Sequence, residues 1–384
     1  MIYKRIRLET INNDLILIFN RMPIYMDRHD LDETVNAEHV AHIHQEDLKI
    51  EHEFGCKGLT YWFDQERKTA FCLINAPNKE ALTEMHNKAH GAIPNSIIEV
   101  DPSIVESFLG RIEDPVKAKE ADLNIISEGA FRVLMITEIG FCNLRCGHKH
   151  KEYVDLFHLQ IKQLTKKFNG SIVQEKLNKA LISFRSVSEA LACSSEFQDS
   201  FRSHGTRSID FVLKVGVSVG VPIEKGETIF EEVISLAERL CHHVDGEIIL
   251  SSEAKELYHK EHMNLPIDER LLRSLEPSDE KFLNLFMEYL ESSWQRSDLQ
   301  INDFSSFLGL SKSQLYRKVK FLTGKSLNIF LKEYRLNRAL RLIDRKKGNI
   351  SEIAFDTGFN SPAYFSKCFY QTYGMLPSKY MNLS

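Results

Sequence analysis

The last hundred residues contain one helix–turn–helix unit twice, and this duplication constrains the fold more than any other feature of the chain. Each unit pairs a short helix with a second helix across a turn that contains glycine, over 301–322 and again over 350–373. Pro362 opens the last helix, where its missing N–H needs no partner. A long helix over 326–345 joins the units. This spacing predicts a helical domain over 280–384 with two helix–turn–helix units.

Charge is distributed unevenly along the 384 residues. Residues 280–384 carry 16 Lys and Arg against 9 Asp and Glu, whereas the preceding residues carry 33 against 45. A basic end on an acidic body is typical of a protein that binds a polyanion, although a plain helical bundle with basic solvated faces is the alternative. Two units held by one helix can enter successive major-groove segments about 34 Å apart.

The outward residues of the second helix in each unit are the predicted DNA contacts. Glutamine can pair with adenine and arginine with guanine, while lysine neutralises phosphate. The predicted contacts are Lys312, Ser313, Gln314, Arg317, Lys318, Asn360, Ser361, Ala363, Tyr364 and Lys367.

The same segment resembles a known family. The run IAFDTGFNSPAYFSKCF from Ile353, continued to Tyr380, is similar to the second half of an AraC-type DNA-binding domain. The run LSKSQLYRKVK from Leu310, with Gly324, is similar to the first half. The resemblance implies a transcription regulator that binds double-stranded promoter DNA and is not an enzyme.

Residues 22–101 alternate between strand and helix periods. The order βαββαβ predicts a ferredoxin-like domain, with two helices on one antiparallel sheet. The predicted elements are strand 24–29, helix 36–53, strands 57–64 and 69–76, helix 77–90 and strand 96–100.

Histidine is concentrated in this first domain, with seven of the 15 residues before position 91 and none after 262. His86 and His90 lie four apart on one helix and therefore share a face. His44 lies on the inward stripe of the other helix, and His29 ends the first strand. Imidazoles in this arrangement can chelate nickel, zinc or copper. The alternative is that they are buried hydrogen-bonding residues or surface residues.

Four runs of this domain resemble a small bacterial family of nickel-binding, ferredoxin-like domains. They are MPIYMDRH over 22–29, HQEDL over 44–48, GLTYWFD over 58–64 and the segment 76–91. The resemblance implies nickel or another divalent transition metal as a cofactor. The ligands it implies are His29, His44, His86 and His90, with Cys72 as a further candidate.

Residues 131–262 form a predicted α+β domain that resembles a class III nucleotide cyclase. The resemblance is carried by KVGVSVG from Lys214, VISLAERLC from Val233 and GEIILSS from Gly246. Cyclase chemistry needs two aspartates that hold two metal ions. The first aspartate position is Glu138, and the second reads Asn178-Lys179. The family also uses an asparagine and an arginine on a late helix. The asparagine position is Ser235 here, and only Arg239 matches the family.

A lysine in place of a metal-binding carboxylate inverts the local charge, so we expect no cyclisation. The resemblance leaves three roles for this domain, which are dimerisation, binding of a small molecule or nucleotide, and transmission of a signal. Residues 102–130 and 264–280 are the predicted connectors.

Three functions follow from this organisation. The first is a cytoplasmic, homodimeric AraC-type regulator controlled by a metal-sensing domain and a degenerate cyclase-like domain. The second is a nucleotide cyclase fused to a DNA-binding domain, and the third is a DNA-binding regulator whose first domain stores metal or is purely structural. No run is long and apolar enough to predict a membrane helix.

Overall fold

A computed structural model describes residues 22–115, 123–141, 147–176, 178–204, 211–244, 248–261 and 272–382. These residues form two compact units. The first unit comprises the described residues up to Arg132 together with Gly220–Glu232. The second comprises Val133–Val219 and Val233 onward. The sequence predicts three domains, whereas the third predicted domain and most of the second, without 131–132 and 220–232, fall within one compact unit.

The first unit contains a four-stranded antiparallel sheet in the order β2-β3-β1-β4. Its elements follow the predicted order βαββαβ, and the mixed α+β character predicted for this region is confirmed. Asn36 and Asn78 cap the two helices, each accepting a hydrogen bond from a backbone N–H of the first turn. The bounds are β1 Ile24–Asp30, α1 Ala37–Ile50, β2 Lys57–Asp64, β3 Thr69–Asn75, α2 Lys79–Ala89, β4 Ser96–Val100 and α3 Pro102–Leu109.

Both faces of this sheet are buried. Side chains alternate along a strand, so Tyr25, Asp27 and His29 of β1 share one face, while Met26 and Arg28 share the other. The first face packs against α1 and α2 in one apolar cluster. The opposite face is covered too, because Met26 is fully buried and the guanidinium of Arg28 donates to the Ile223 carbonyl, 2.8 Å away.

A six-stranded mixed sheet forms the centre of the second unit, in the order β10-β9-β8-β5-β7-β6. The strand β10 falls within the segment 264–280 predicted as a connector, and no sequence pattern predicts the edge strand β6. Its sequence SIVQEK has no sustained apolar period because β6 is the last strand in this order, where its side chains are half-exposed or exposed. The bounds are β5 Arg132–Phe141, α4 Gly147–Lys167, β6 Ser171–Lys176, β7 Lys179–Phe184, α5 Val187–His204, β8 Phe211–Gly220, α6 Glu231–His243, β9 Ile248–Leu250, α7 Ser252–Glu261 and β10 Leu272–Ser274.

The remaining helices confirm the predicted helical end of the chain. The first helix begins at Pro277, within the segment predicted as a connector, since proline suits a first turn. No helix in the described ranges combines the length and the apolar content needed to cross a membrane. The bounds are α8 Pro277–Ser293, α9 Ile301–Leu308, α10 Lys312–Thr323, α11 Leu327–Asp344, α12 Ile350–Asp356, α13 Pro362–Tyr373 and α14 Pro377–Met381.

Two separate apolar clusters stabilise the two helix–turn–helix units. The first helix–turn–helix unit shares its cluster with α6 and β9, since Leu240 and Ile249 are buried in the same group as Leu315 and Val319 of α10. The second helix–turn–helix unit has a cluster of its own, built by α11 to α13 around Phe365 and other buried side chains. The first helix–turn–helix unit is therefore packed onto the α+β part of the second compact unit.

Candidate metal centre and nucleic-acid interface

A first group of metal-ligating side chains lies on the sheet of the first unit. Asp27 and His29 alternate along β1 onto one face, and Cys72 of β3 is the cross-strand partner of Asp27. All three are buried, and their ligand atoms lie within 4.8 Å of one another. The Cys72 backbone N–H donates to Asp27 Oδ1 at 3.1 Å, and His29 Nε2 lies 3.4 Å from the same oxygen.

A second group lies on the two helices above that face. Asp47 comes from α1, His86 from α2 and His90 from the residue that ends α2. Their ligand atoms also lie within 4.8 Å of one another. His90 Nε2 lies 3.1 Å from both Asp47 Oδ1 and His86 Nδ1. Helix packing against the sheet thus brings a second set of donors over the first.

His86 connects the two groups. Its Nε2 lies 2.8 Å from Asp27 Oδ2, and its Nδ1 lies 3.0 Å from Asp47 Oδ1. Burial favours the neutral ring, but the hydrogen bonds to Asp27 and Asp47 outweigh burial and raise the pKa of His86 to about 10. Burial likewise opposes the charge on Asp27, yet His29 and His86 hold the pKa of that carboxyl well below its usual range. In the absence of a metal, His86 is therefore an imidazolium that donates to two buried carboxylates.

A cavity of about 20 Å³ lies among these side chains. That volume accommodates one water-sized species. Three imidazoles, one thiol and two carboxylates form a mixed nitrogen, sulfur and oxygen donor set, which suits a borderline divalent metal. The residues present therefore fit a transition-metal ion. The cavity is lined by His29, Leu31, Val40, Ile43, His44, Asp47, Ala70, Cys72, His86 and Ala92.

Four of the five predicted ligands fall in these two groups, and His44 falls in neither. His44 lines the cavity, but its Nε2 lies 3.2 Å from Asp114 Oδ2, and its ring packs against Tyr61 at 4.9 Å. The predicted ligand set omits Asp27 and Asp47. The sequence pattern that could have identified Asp47 as a ligand is its position on the same helix as His44, about one turn further along the inward face.

The first recognition helix, α10, presents a basic and aromatic face. Lys312, Ser313 and Arg317 are exposed, as predicted for DNA contacts, whereas Leu315 and Val319 are buried in the core. Ser311 caps the helix, and Gly309 in the preceding turn has φ +63°, a conformation that favours glycine. The sequence analysis missed Tyr316, which is half exposed on the same face.

Two predicted contacts on α10 are engaged within the protein. Gln314 Oε1 accepts the Ser311 backbone N–H at 2.9 Å and so completes a capping box. Lys318 Nζ donates to Asp279 Oδ1 of α8 at 2.8 Å. The Lys318 ammonium also lies 5.2 Å from the Phe282 ring. These partners favour structural roles for both side chains over the predicted DNA contacts.

The exchange Lys318→Ala tests that interpretation. We expect it to lower the free energy of unfolding by up to about 1 kcal/mol, because the ion pair is only partly buried. DNA affinity at a fixed salt concentration should change less than twofold. Urea unfolding and a DNA titration by fluorescence anisotropy measure the two effects. A tenfold loss of DNA affinity with unchanged stability would instead make Lys318 a DNA contact.

The second recognition helix, α13, exposes four of its five predicted contacts. Asn360 precedes the helix, and Ala363, Tyr364 and Lys367 lie on its outer face. The fifth, Ser361, is the N-cap and accepts the Tyr364 backbone N–H at 3.3 Å. The helix therefore presents one cation and a tyrosine rather than a basic stripe.

The residues that would form a cyclase site are paired with other partners. Glu138 and Lys179 are cross-strand neighbours on β5 and β7. His242 Nδ1 lies 2.7 Å from Glu138 Oε2, and Lys179 donates to Glu238. Arg239, which matched the cyclase pattern, donates to Asn284 of α8 at 2.7 Å. The position that the cyclase resemblance assigns to a second metal-binding carboxylate is Lys179.

Two family models match the chain, each over about a fifth of its length. The model described as nickel responsive protein SCO4226-like matches residues 25–100, and a helix-turn-helix domain model matches residues 304–382. A solved structure titled as SCO4226 from Streptomyces coelicolor A3(2) is 28% identical and covers 20% of this chain and 94% of its own, with a TM-score of 0.19.

Curated relatives match part of the chain. Histidine kinase P4 of Formosa agariphila is 38% identical over 104 residues, which are 27% of this chain and 8% of that protein. The Msm operon regulatory protein of Streptococcus mutans is 32% identical over 117 residues, covering 30% of this chain and 42% of that protein. The chain thus spans less than half the length of these two relatives. It carries an AraC-type helix–turn–helix domain at its C-terminal end and an SCO4226-like domain near its N-terminal end.

Proposed function

We propose that the protein is a cytoplasmic transcription regulator whose affinity for promoter DNA is controlled by a divalent transition metal, with nickel as the first candidate. One observation carries the proposal: two groups of metal-ligating side chains, six residues in all, lie beside a small cavity that four of them line, in the same chain as a helix–turn–helix domain. The proposal is supported by the family model for nickel-responsive proteins, which covers all six of these residues.

Asp27, His29, Cys72, Asp47, His86 and His90 would hold the metal. A bound divalent cation would supply positive charge that offsets the two buried carboxylates among these donors. These ligands bind in their deprotonated forms, so His86 gives up a ring proton and Cys72 its thiol proton. Burial first, and then the charge of Asp27, raise the pKa of the Cys72 thiol well above its usual range without a metal.

The helical domain would place α10 and α13 in successive major-groove segments of one DNA face. Arg317 and Asn360 are the exposed candidates for reading bases, and Lys312 and Lys367 are candidates for phosphate contacts. Dimerisation would double this footprint and stays a prediction.

Two measurements on the full chain test the components of this function. Elemental analysis of the purified protein after incubation with Ni²⁺ and gel filtration should find bound metal, and the exchange His90→Ala should reduce it. Selection from a random DNA pool should enrich one sequence motif with two contacted segments about one helical turn apart. Absence of bound metal would leave a regulator with a structural first domain, and absence of a motif would contradict sequence-specific binding.

Cyclisation of a nucleotide is the competing activity, and we expect none. The Lys179 side chain lies where a metal-binding carboxylate would be needed, and it pairs with Glu238. The purified protein with ATP or GTP and Mn²⁺ should therefore produce no cyclic nucleotide above a blank without protein. The double exchange Asn178→Gly and Lys179→Asp, which restores the family's pattern, is the informative comparison. Cyclic nucleotide made by the unaltered chain would overturn this assignment.

A further inference from the structure

We propose that Arg28 and the segment 220–232, here called the strap, transmit metal binding from the first unit to the DNA-binding helices. This inference rests on the metal-controlled function proposed above. Arg28 is a positioning residue in this scheme, since it holds the strap and contributes no ligand to the metal.

Strand β1 carries the metal ligands and the strap contact on alternate residues. Asp27 and His29 point to the helix-covered face, and Arg28 between them points to the opposite face. Arg28 Nη1 donates to the Ile223 carbonyl of the strap at 2.8 Å. Its Nε also pairs with Asp30 Oδ1 at 2.8 Å. A shift of Asp27 and His29 toward a metal therefore moves the strand that holds the strap.

The strap is packed firmly enough to follow that movement. Ile223 and Phe230 are buried, and at most 1% of either residue's surface is exposed. The Phe230 ring lies 4.8 Å from the Phe108 ring of α3. Phe230 has φ +57°, which is unusual for a residue with a side chain, and its N–H donates to the Pro222 carbonyl at 2.7 Å. Packing thus holds a locally unfavourable backbone conformation.

The strap and the start of α6 form one hydrogen-bonded structure. The Glu231 carboxylate accepts the backbone N–H groups of Glu227 and Thr228 at 3.0 and 3.1 Å. The Glu232 carboxylate accepts the Lys225 N–H at 3.0 Å. Both glutamates lie in the first turn of α6, so displacement of the strap displaces the N-terminal end of that helix.

Helix α6 in turn belongs to the core of the first helix–turn–helix unit. Leu240 shares an apolar cluster with Leu315 of α10. Arg239 donates to Asn284 of α8 and lies 3.5 Å from Glu291 of the same helix. The route therefore follows the covalent chain from the strap into α6 and continues through this apolar cluster to the first recognition helix. The second helix–turn–helix unit, with its separate cluster, shares α11 with the first.

The exchange Arg28→Ala in the full chain tests this route, with Ni²⁺ as the probe. Calorimetry measures the affinity for Ni²⁺, and fluorescence anisotropy measures the affinity for the selected DNA with and without the metal. We expect Arg28→Ala to bind Ni²⁺ within threefold of the unaltered chain, and the metal-dependent shift in DNA affinity to fall below twofold. Phe108→Ala, which loosens the strap at the Phe230 ring, should reduce the shift as well.

Asp30→Asn is the matched control, because it removes the Arg28–Asp30 ion pair and keeps the Arg28–Ile223 hydrogen bond. It should retain the full shift. If the unaltered chain binds Ni²⁺ and shows no shift, the proposed metal control fails. If the unaltered chain shows a shift that both Arg28→Ala and Phe108→Ala retain, the strap is not the route. Loss of Ni²⁺ binding in Arg28→Ala would also overturn the inference, because it would place Arg28 in the metal centre.

Discussion

Replacing His86 by alanine should destabilise the metal-free first unit by about 3–5 kcal/mol, because the exchange leaves two buried carboxylates without their shared cation. His86 is fully buried, and its ring nitrogens lie 2.8 Å from Asp27 and 3.0 Å from Asp47. The same exchange removes the donor that connects the two ligand groups. We therefore also expect Ni²⁺ affinity to fall by at least a factor of ten.

The two tryptophans of the chain allow this loss to be assigned to one unit. Trp62 lies in the first unit and Trp294 in the second. In a Trp294→Phe background with a chelator present, urea unfolding followed by Trp62 fluorescence reports the first unit alone. His52→Ala, at an exposed histidine, is the control and should change the free energy of unfolding by less than about 0.5 kcal/mol.

A second exchange separates lost charge pairing from lost packing. Adding Asp47→Asn to His86→Ala removes one of the two carboxylates that lose their shared cation and should restore part of the stability. If His86→Ala alone unfolds within about 0.5 kcal/mol of the unaltered chain, the imidazolium network is not a stabilising element.

Replacing Arg317 by alanine should weaken binding to the selected DNA motif by about 1–3 kcal/mol, a factor of about 5–150 in Kd. Arg317 is exposed on α10, one turn from Ser313 on the same face, and its guanidinium can donate two hydrogen bonds to guanine. Affinity for an unrelated DNA duplex should barely change, because a base contact contributes little there. Anisotropy titrations on both duplexes at one salt concentration measure the difference.

Lys320→Ala is the contrasting exchange on the same helix. Lys320 is exposed near the end of α10, where its ammonium donates one hydrogen bond to the Gly324 carbonyl and keeps two N–H groups for a phosphate contact. Its loss should weaken binding to both duplexes alike and reduce the slope of log affinity against log salt by about 1. If Arg317→Ala behaves in this uniform way, Arg317 is a phosphate contact and the base preference comes from other residues.

Local signals in the sequence predicted the secondary structure of the helical domain closely. The bounds of α9 and α13 are the predicted ones, because Gly309 ends the first helix and Pro362 opens the second. Both signals act on backbone dihedral angles and need no knowledge of the fold. The edge strand β6 carried no such signal, because its side chains are half-exposed or exposed and its sequence has no sustained apolar period.

The metal centre was predictable only in part. Periodicity placed His86 and His90 on one face, and the strand–helix order brought His29 near them. Spacing alone does not show that Asp47, rather than His44 one turn earlier, joins the candidate ligands. His44 is paired with Asp114, a residue beyond β4, and the sequence does not predict where that residue returns to the sheet. Lys318 was assigned to DNA for a similar reason, since its partner Asp279 lies 39 positions earlier.

The dissociation constant for the selected DNA, measured at one salt concentration with saturating Ni²⁺ and again with a chelator, tests the central claim most directly. We predict that the two values differ by a factor of about 5–150, the usual range of coupling between two ligand sites. The His86→Ala chain should show the same constant under both conditions. Equal constants for the unaltered chain, with bound nickel verified by elemental analysis, would contradict metal control of DNA binding.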